Sequence, residues 1–263
     1  MTALAPTRLV LATHLRLVYV FLYAPILVLM VLSLNKAGMP TAWTGVSFQW
    51  YVTLAESPEI LSAALNTLIV ASVSTLIATT LGTLLALGVE RRRRSNTLDA
   101  LLFAPMIIPD IVLAIALLSF FTLLEFTLGL HSIILSHVVF NIAFVCAVVR
   151  TRLKHFDHSI VEASADLGAG DFTTFRRVTL PVIFPGVLAG ALLAFTLSVD
   201  EFIIAFFTAG AGASSTTLPM RIYSMIRFGV TPEINAMATI VMLVSFALVL
   251  ASQRLNREAL TQR

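Results

Sequence analysis

Charged side chains are scarce in this sequence of 263 residues: Asp, Glu, Lys and Arg together make up 12%, about half of their usual share in a soluble domain. Hydrophobic residues make up 58%, and the mean hydropathy is +0.95. The single cysteine, Cys146, excludes an intrachain disulfide. Because the apolar residues lie in long runs, the sequence predicts a membrane protein rather than a soluble domain with a large core.

Motifs for nucleotide binding and catalysis are also missing. The chain has no G-x-x-x-x-G-K-[ST], and neither of its two lysines lies in a glycine-rich segment, so we expect no P-loop here. It has no nucleophile elbow. His155 and His158 lie beside Asp157, but no third ligand accompanies them, and we predict no metal site. We therefore expect neither an enzyme nor a chain that binds its own cofactor.

Six apolar segments reach the ~20 residues that are needed to cross a bilayer. They cover residues 15–34, 62–89, 98–124, 130–150, 182–205 and 233–253. The first lacks the A-x-A cleavage site and the short apolar core of a signal peptide, so we expect a retained span. In the second, Ala78, Gly82 and Ala86 place small residues on one face, which favours close helix packing. These segments predict an all-α membrane protein.

The distribution of basic residues predicts the orientation. With the N-terminus in the cytoplasm, fourteen of the seventeen lysines and arginines fall on the inner side. The three that fall outside are Lys36, Arg221 and Arg227. We therefore expect one transmembrane domain at 15–255 between cytoplasmic segments at 1–14 and 256–263. The run Arg91–Arg94 is typical of an anchor at anionic headgroups rather than of a nucleic-acid site.

A polar stretch, EASADLGAGDFTTFRRVTLP, lies in the fourth loop, which is cytoplasmic in this orientation. Ser159 and Glu162 have the spacing of a capping box, which predicts the start of a first helix, and Gly168 predicts its end. Asp171 can cap a second helix with an apolar side, before Pro181 begins the fifth span. An exposed pair of helices around a glycine turn is typical of a docking element.

The same stretch resembles the cytoplasmic EAA loop of permease subunits from binding-protein-dependent ABC importers. The family pattern is E-A-A, a glycine four residues later, and an aliphatic-x-Leu-Pro that begins ten residues after that glycine. Here Ser164 replaces the second alanine, and every spacing agrees. The resemblance implies that loop 151–181 is the coupling helix, which sits in a groove of an ATPase subunit. The implied coupling residues are Glu162, Ala163, Ser164, Asp166, Gly168, Leu180 and Pro181. The alternative role of Glu162 is to close its own capping box.

Segments 104–118, 196–210 and 217–240 are similar to the spermidine/putrescine branch of this family. The resemblance implies the six-helix ABC importer permease fold in a bacterial inner membrane. It also implies three kinds of partner: a dimer of ATP-binding subunits that holds ATP and Mg²⁺, a second homologous permease, and a soluble substrate-binding protein. No nucleic-acid partner is expected.

Ionisable groups inside membrane spans are costly, so they are candidates for function. Asp110 follows a proline inside the third span, where we expect a kink beside a cavity, and Asp200 and Glu201 lie near the outer end of the fifth. Carboxylates suit a solute with two or three ammonium groups, and Trp50 and Tyr223 can add cation–π contacts. The structural alternatives are an ion pair or helix cap for Asp110, interfacial carboxylates for the other two acids, and an interfacial anchor for Trp50.

We therefore predict the permease subunit of an ATP-driven importer of polyamines. The same class of importer could carry another small solute, such as an amino-acid derivative, an opine or an aminophosphonate. An ion-coupled secondary transporter, in which the acids bind protons or sodium, is a further alternative, and a structural membrane protein is the last. A secondary transporter has no need of the polar loop 151–181, here called the docking loop, and this loop therefore favours the importer.

Overall fold

The computed structural model describes residues 4–38, 42–90, 96–154, 156–227, 229–244 and 246. Within these ranges the chain is almost entirely helical, and its one β pairing is an isolated bridge between Asn35 and Val46. The helices are α1 (Leu4–Leu32), α2 (Gln49–Glu56), α3 (Pro58–Glu90), α4 (Asn96–Ile107), α5 (Asp110–Leu123), α6 (Leu130–Leu153), α7 (Ser159–Asp166), α8 (Asp171–Thr174), α9 (Leu180–Asp200), α10 (Ile203–Thr208), α11 (Leu218–Ile226) and α12 (Pro232–Val244). A π-helical turn, Phe175–Thr179, joins α8 to α9.

The chain divides into two compact units. One contains Met1–Pro58 and Ile222–Arg263, and the other contains Glu59–Arg221. In the first unit, α1 is an apolar helix whose membrane-length stretch, Leu9–Leu32, contains no buried residue. That surface suits contact with lipid, which is as apolar as the side chains themselves.

The loop after α1 is organised by the fully buried Asn35. Its side-chain amide donates to the carbonyl of Ala42 at 2.8 Å and accepts the N–H of Thr44 at 3.1 Å. The Trp50 indole N–H donates to the Asn35 carbonyl at 2.8 Å, which ties α2 to the end of α1. These bonds satisfy the polar groups of a loop that has little regular structure.

The second unit is built around close packing of α3, α6 and α9. A Cβ on Gly82 of α3 would lie 2.8 Å from the Cβ of Val145 in α6, and a Cβ on Gly190 of α9 would lie 3.3 Å from the same side chain. Ala78 and Ala86 are fully buried. The predicted small-residue face of α3 is therefore confirmed, and it lets the helix backbones approach closely.

Among the described residues, four helices are long and apolar enough to cross a membrane: Leu9–Leu32, Pro58–Glu90, Leu130–Leu153 and Asp171–Asp200. The bent pair α4 and α5 makes a fifth if it is counted as one span. The predicted sixth span is represented by the shorter α12, and most of its remainder, to residue 253, lies outside the described residues. The six-span count and the cytoplasmic termini stay predictions. The Arg91–Arg94 anchor and residues 256–263 also lie outside the described residues.

The predicted third span, 98–124, is not one straight helix. The structure confirms the expected break at Pro109, but α4 and α5 meet there at 104°, far more than a kink in a continuous span. Proline has no N–H to donate, and its ring excludes the preceding turn of helix. An ion pair between Asp99 and Arg150, 2.7 Å apart, holds α4 against α6. Hydropathy predicted the apolar run correctly, but it carries no information on the bend.

The predicted fifth span, 182–205, also has different bounds. Its helix continues from the docking loop and ends at Asp200, because Glu201 adopts an extended conformation (φ −70°, ψ 120°). The short α10 then starts at Ile203. It packs in an apolar cluster with α5 and α6, in which Ala114, Phe140 and Ile204 are buried. Breaks at the ends of α4 and α9 thus interrupt two apolar segments.

We expect Gly82→Ala to destabilise the protein relative to Gly88→Ala. Both changes gain the same helix propensity, but only the first places a methyl group against Val145, whereas a Cβ at Gly88 meets nothing within 4 Å. Overpacking of this kind costs about 1–3 kcal/mol. The measurement is the apparent melting temperature of the two purified variants in detergent; equal values would contradict the packing described here.

Candidate functional sites: an acidic cavity and a docking loop

The two helix breaks of the second unit meet at one cavity of about 420 Å³. Its lining residues are Asp110, Phe140, Thr196, Leu197, Asp200, Glu201, Phe202 and Ile203. Asp110 begins α5, and Asp200 ends α9. The cavity therefore brings together the three acids that the sequence marked as candidates, although Asp110 lies about 90 residues before Asp200 and Glu201 in the chain.

Asp110 and Asp200 present unengaged carboxylates. Both side chains are exposed, and neither takes part in a hydrogen bond or ion pair within the described ranges. Asp110 lies in the first turn of α5, where the helix dipole favours a negative charge, whereas Asp200 lies at the unfavourable C-terminal end of α9. Two such anions beside an apolar wall can bind a cation by charge-assisted hydrogen bonds.

Glu201 is different, because its carboxylate is already engaged. The side chain is only 7% exposed. Its two oxygens accept the N–H groups of Ile204 at 2.8 Å and Ala205 at 2.9 Å, so it caps the first turn of α10. Oε2 also lies 3.5 Å from Nε2 of the buried His137. Sequence reasoning considered histidines only as metal ligands and missed this one, although a histidine within an apolar span is itself an unusual residue.

The two aromatic candidates belong to the other compact unit. Trp50 is half-buried, and its indole N–H is used by the Asn35 carbonyl, so it has a structural role in the loop. Tyr223 is 49% exposed. Their cation–π contacts to a solute stay predictions.

In the docking loop, the predicted glycine stop of the first helix is confirmed. Gly168 has a φ of +78°, a left-handed conformation that side chains with a Cβ rarely adopt. Its N–H bonds the carbonyl of Ala165 at 2.8 Å, and the N–H of Ala169 bonds that of Ser164 at 3.1 Å. This pair of bonds is the Schellman motif, which closes α7 sharply and satisfies its last carbonyls.

The predicted start of α7 is wrong. His158, not Ser159, occupies the N-cap position, and Ser159 is the first helical residue. The carboxylate of Asp157 accepts the Ser159 N–H at 3.0 Å, which takes the place of the expected Ser159–Glu162 capping box. Hydrogen bonds from the side chain and the backbone N–H of Ser159 lower the pKa of Asp157, which is fully exposed. Glu162 is thereby left exposed and unengaged by a cap.

The predicted second helix also differs from the structure. Asp171 is its first residue and makes no capping bond; Gly170 holds the N-cap position. The helix is not a separate element before the span, since α8, the π-helical turn and α9 run without interruption from Asp171 to Asp200. A π-helical turn frequently marks a functional position in a helix.

A hydroxyl pair joins the two halves of the docking loop. Ser164 Oγ lies 2.9 Å from Thr174 Oγ1, and Thr174 is buried. On the outer side, Leu167 is 89% exposed and Phe172 is 74% exposed. Of the predicted coupling residues, Glu162, Ala163 and Asp166 are exposed on α7. Leu180 and Pro181 form the first turn of α9, with Leu180 half-buried.

No group of three His, Cys, Asp or Glu side chains in the described ranges is placed to hold a metal ion. His155 lies outside those ranges, so the sequence argument against a metal at His155 and His158 stays a prediction.

Comparison with known proteins identifies the family. The family described as "Binding-protein-dependent transport system inner membrane component" matches residues 78–261. The chain belongs to this family. It is 40% identical over 243 residues to the spermidine/putrescine transport system permease protein PotC of Escherichia coli strain K12, covering 92% of this chain and 91% of that protein. It is also 40% identical over 247 residues to the putrescine transport system permease protein PotI of the same strain, covering 90% and 86%.

The fold comparison agrees with this family. A crystal structure of a bacterial ABC transporter involved in the import of the acidic polysaccharide alginate contains a chain that superposes with a TM-score of 0.79 at 13% identity, covering 97% of this chain and 98% of that one. The chain is thus an all-helical permease of the inner membrane. The resemblance indicated by the EAA-like loop is confirmed.

We expect Thr174→Val to loosen α7, because it removes the hydroxyl that pairs with Ser164 and keeps the shape of the side chain. A lost hydrogen bond of about 1 kcal/mol corresponds to roughly fivefold faster opening. The measurement is amide hydrogen exchange over residues 159–167 of the purified protein. The matched control is Thr173→Val, an exposed neighbour; equal exchange in both variants would show that the pair does not hold the loop.

Proposed function

We propose that this chain is the permease subunit of an ATP-driven importer that moves polyamines such as spermidine and putrescine from a soluble binding protein into the cytoplasm. The observation that carries the solute class is the convergence of Asp110 and Asp200 on one cavity with unengaged carboxylates. The names of the relatives PotC and PotI support the same class.

The cavity suits the chemistry of a polyamine. Two carboxylates can each accept charge-assisted hydrogen bonds from an ammonium group. In the same cavity lining, Phe140, Leu197 and Phe202 provide apolar surface for the methylene chain that separates the ammonium groups. The volume of about 420 Å³ lies within the range of small-molecule sites. An anionic solute such as an aminophosphonate would be repelled by the two free carboxylates, because like charges face each other.

The energy must come from partner subunits in this proposal, because the chain has no P-loop. A dimer of ATP-binding subunits would hold ATP and Mg²⁺ and receive the docking loop. A second homologous permease would complete the pathway, and a soluble binding protein would deliver the solute. The exposed Leu167 and Phe172 support a protein contact at the loop, since isolated large apolar side chains are costly to leave in water.

One helix connects the docking loop to the cavity. The uninterrupted run from Asp171 to Asp200 has 30 residues and so spans about 45 Å at 1.5 Å per residue. Movement of the loop on closure of the ATP-binding subunits would therefore be transmitted to Asp200 along one helical segment. ATP supplies the free-energy difference between inward-facing and outward-facing populations in this scheme.

We expect Asp110→Asn and Asp200→Asn each to reduce polyamine uptake about tenfold, the loss that follows from weakening one hydrogen bond to a charged group. The measurement is uptake of labelled putrescine and spermidine by cells without other polyamine import that express this chain with its partner subunits. The control is Glu125→Gln, an exposed acid outside the cavity. If the wild-type transporter takes up another solute but no polyamine, the importer class stands and the proposed solute is wrong.

We expect Gly168→Val to uncouple ATP hydrolysis from transport, and Gly170→Val to have little effect. Valine in the left-handed conformation of Gly168 costs about 1–2 kcal/mol, whereas Gly170 (φ −73°, ψ 161°) already has a conformation that valine prefers. A Cβ has free space at both positions, so the pair isolates backbone geometry. The measurement is the ATPase rate of the assembled transporter with and without loaded binding protein; equal stimulation in both variants would argue against a coupling role.

A further inference from the structure

The shape of the acidic cavity depends on the break between α9 and α10. Four consecutive residues of that break, Asp200 to Ile203, contribute to the cavity lining. The break persists because the Glu201 carboxylate accepts the Ile204 and Ala205 N–H groups that the start of α10 leaves open. A group that holds the Glu201 carboxylate in place therefore also maintains the shape of the cavity.

Glu201 needs a further partner, because a buried carboxylate requires compensation beyond two neutral hydrogen bonds. His137 of α6 is the ionisable group beside it, with Nε2 3.5 Å from Glu201 Oε2. The imidazole is 1% exposed. Its Nε2 has no hydrogen-bond partner in the described part of the chain, so the Glu201 carboxylate is the group that this edge of the ring faces.

The other edge of the ring is held by a row of hydroxyl groups. His137 Nδ1 lies 2.6 Å from Ser198 Oγ of α9, and Ser198 Oγ lies 3.2 Å from Ser74 Oγ of α3. Ser74 Oγ donates to the carbonyl of Ala71. Either hydroxyl of the Ser74–Ser198 pair can donate to the other, and the short contact between Ser198 Oγ and His137 Nδ1 fixes the position of the ring.

The contact with Glu201 favours one arrangement of the ring. A bare Nε2 would present a lone pair to the Glu201 carboxylate, which is repulsive, whereas a proton on Nε2 makes the contact attractive. With Nε2 protonated, Nδ1 can accept from the Ser198 hydroxyl. The row thus holds the imidazole between α3, α6 and α9 and directs its Nε2 at Glu201.

We propose that His137 is a positioning residue for solute transfer: its imidazole, held at Nδ1 by Ser198 and facing Glu201 with Nε2, keeps the Glu201 carboxylate on α10 and so fixes the wall of the acidic cavity. The proposal rests on the proposed function of that cavity. It assigns the three acids different roles, with Asp110 and Asp200 facing the solute and Glu201 serving the wall. His137 itself does not touch the solute.

The test compares transport with ATP hydrolysis in the full transporter, reconstituted in lipid with its partner subunits and binding protein. His137→Leu should lower the putrescine delivered per ATP about tenfold, with the ATPase rate at saturating loaded binding protein within about twofold of wild type. His137→Gln, which restores a donor toward Glu201, should recover most of the transport. The matched control is His131→Leu, an exposed histidine on the same helix.

A double-mutant comparison separates positioning from a merely structural role. If His137 acts through Glu201, then adding His137→Leu to Glu201→Gln lowers transport no further than Glu201→Gln alone. Multiplicative losses would overturn the proposal, as would a parallel fall of transport and ATPase rate in His137→Leu. If that variant fails to assemble, Ser198→Ala takes its place and should shift transport per ATP in the same direction.

A spectroscopic readout is independent of transport. In the wild-type transporter with ¹⁵N-labelled histidine, Nε2 of His137 should carry a proton, and His137→Gln identifies its signals by their loss. A non-protonated Nε2 would contradict the His137–Glu201 contact. If the wild type moves no polyamine and Nε2 is protonated, the proposed solute fails while the His137–Glu201 pair stands.

Discussion

Helix breaks at membrane depth are the constraint on which this structure depends, because lipid offers no partner to the N–H and C=O groups that a break exposes. The chain breaks its helices at Pro109 and after Asp200 and satisfies them differently. Proline removes one donor at the first break. At the second, the Glu201 carboxylate accepts two N–H groups of α10. The cavity lies where these breaks meet. Its acids, Asp110, Asp200 and Glu201, are therefore residues of the breaks themselves.

In the second unit, closely packed helices connect this cavity to the docking loop. Small residues bring α3 and α9 against Val145 of α6; an added methyl group would overlap Val145 at Gly82 and would be tightly packed against it at Gly190. The helix from Asp171 to Asp200 begins in the docking loop and ends at the cavity. The Schellman turn at Gly168 and the Ser164–Thr174 bond fix α7 on that helix. In the proposed function, this connection would carry a displacement of α7 toward Asp200.

Local chemistry made parts of this architecture predictable from the sequence. The glycine stop, the small-residue face of α3 and the break at Pro109 each depend on a residue's own conformational limits or size. Their cost inside spans marked Asp110 and Asp200 as candidates, but no sequence pattern predicted that they converge on one cavity. The prediction of Ser159 as a cap was wrong. The Asp157 carboxylate, two residues earlier, accepts the Ser159 N–H that the predicted capping box assigned to Glu162. The Ser74–Ser198–His137–Glu201 row joins residues up to 127 positions apart, which no local pattern contains.

The central claim is that ATP hydrolysis by partner subunits, coupled through the docking loop, drives a cationic solute through this chain. Its most direct measurement is accumulation of labelled spermidine in proteoliposomes that contain the full transporter, with loaded binding protein on one side and ATP on the other. The account predicts accumulation that requires hydrolysable ATP and the ATP-binding subunits. Accumulation without those subunits, driven by a proton or sodium gradient, would contradict it and make the intramembrane acids ion sites.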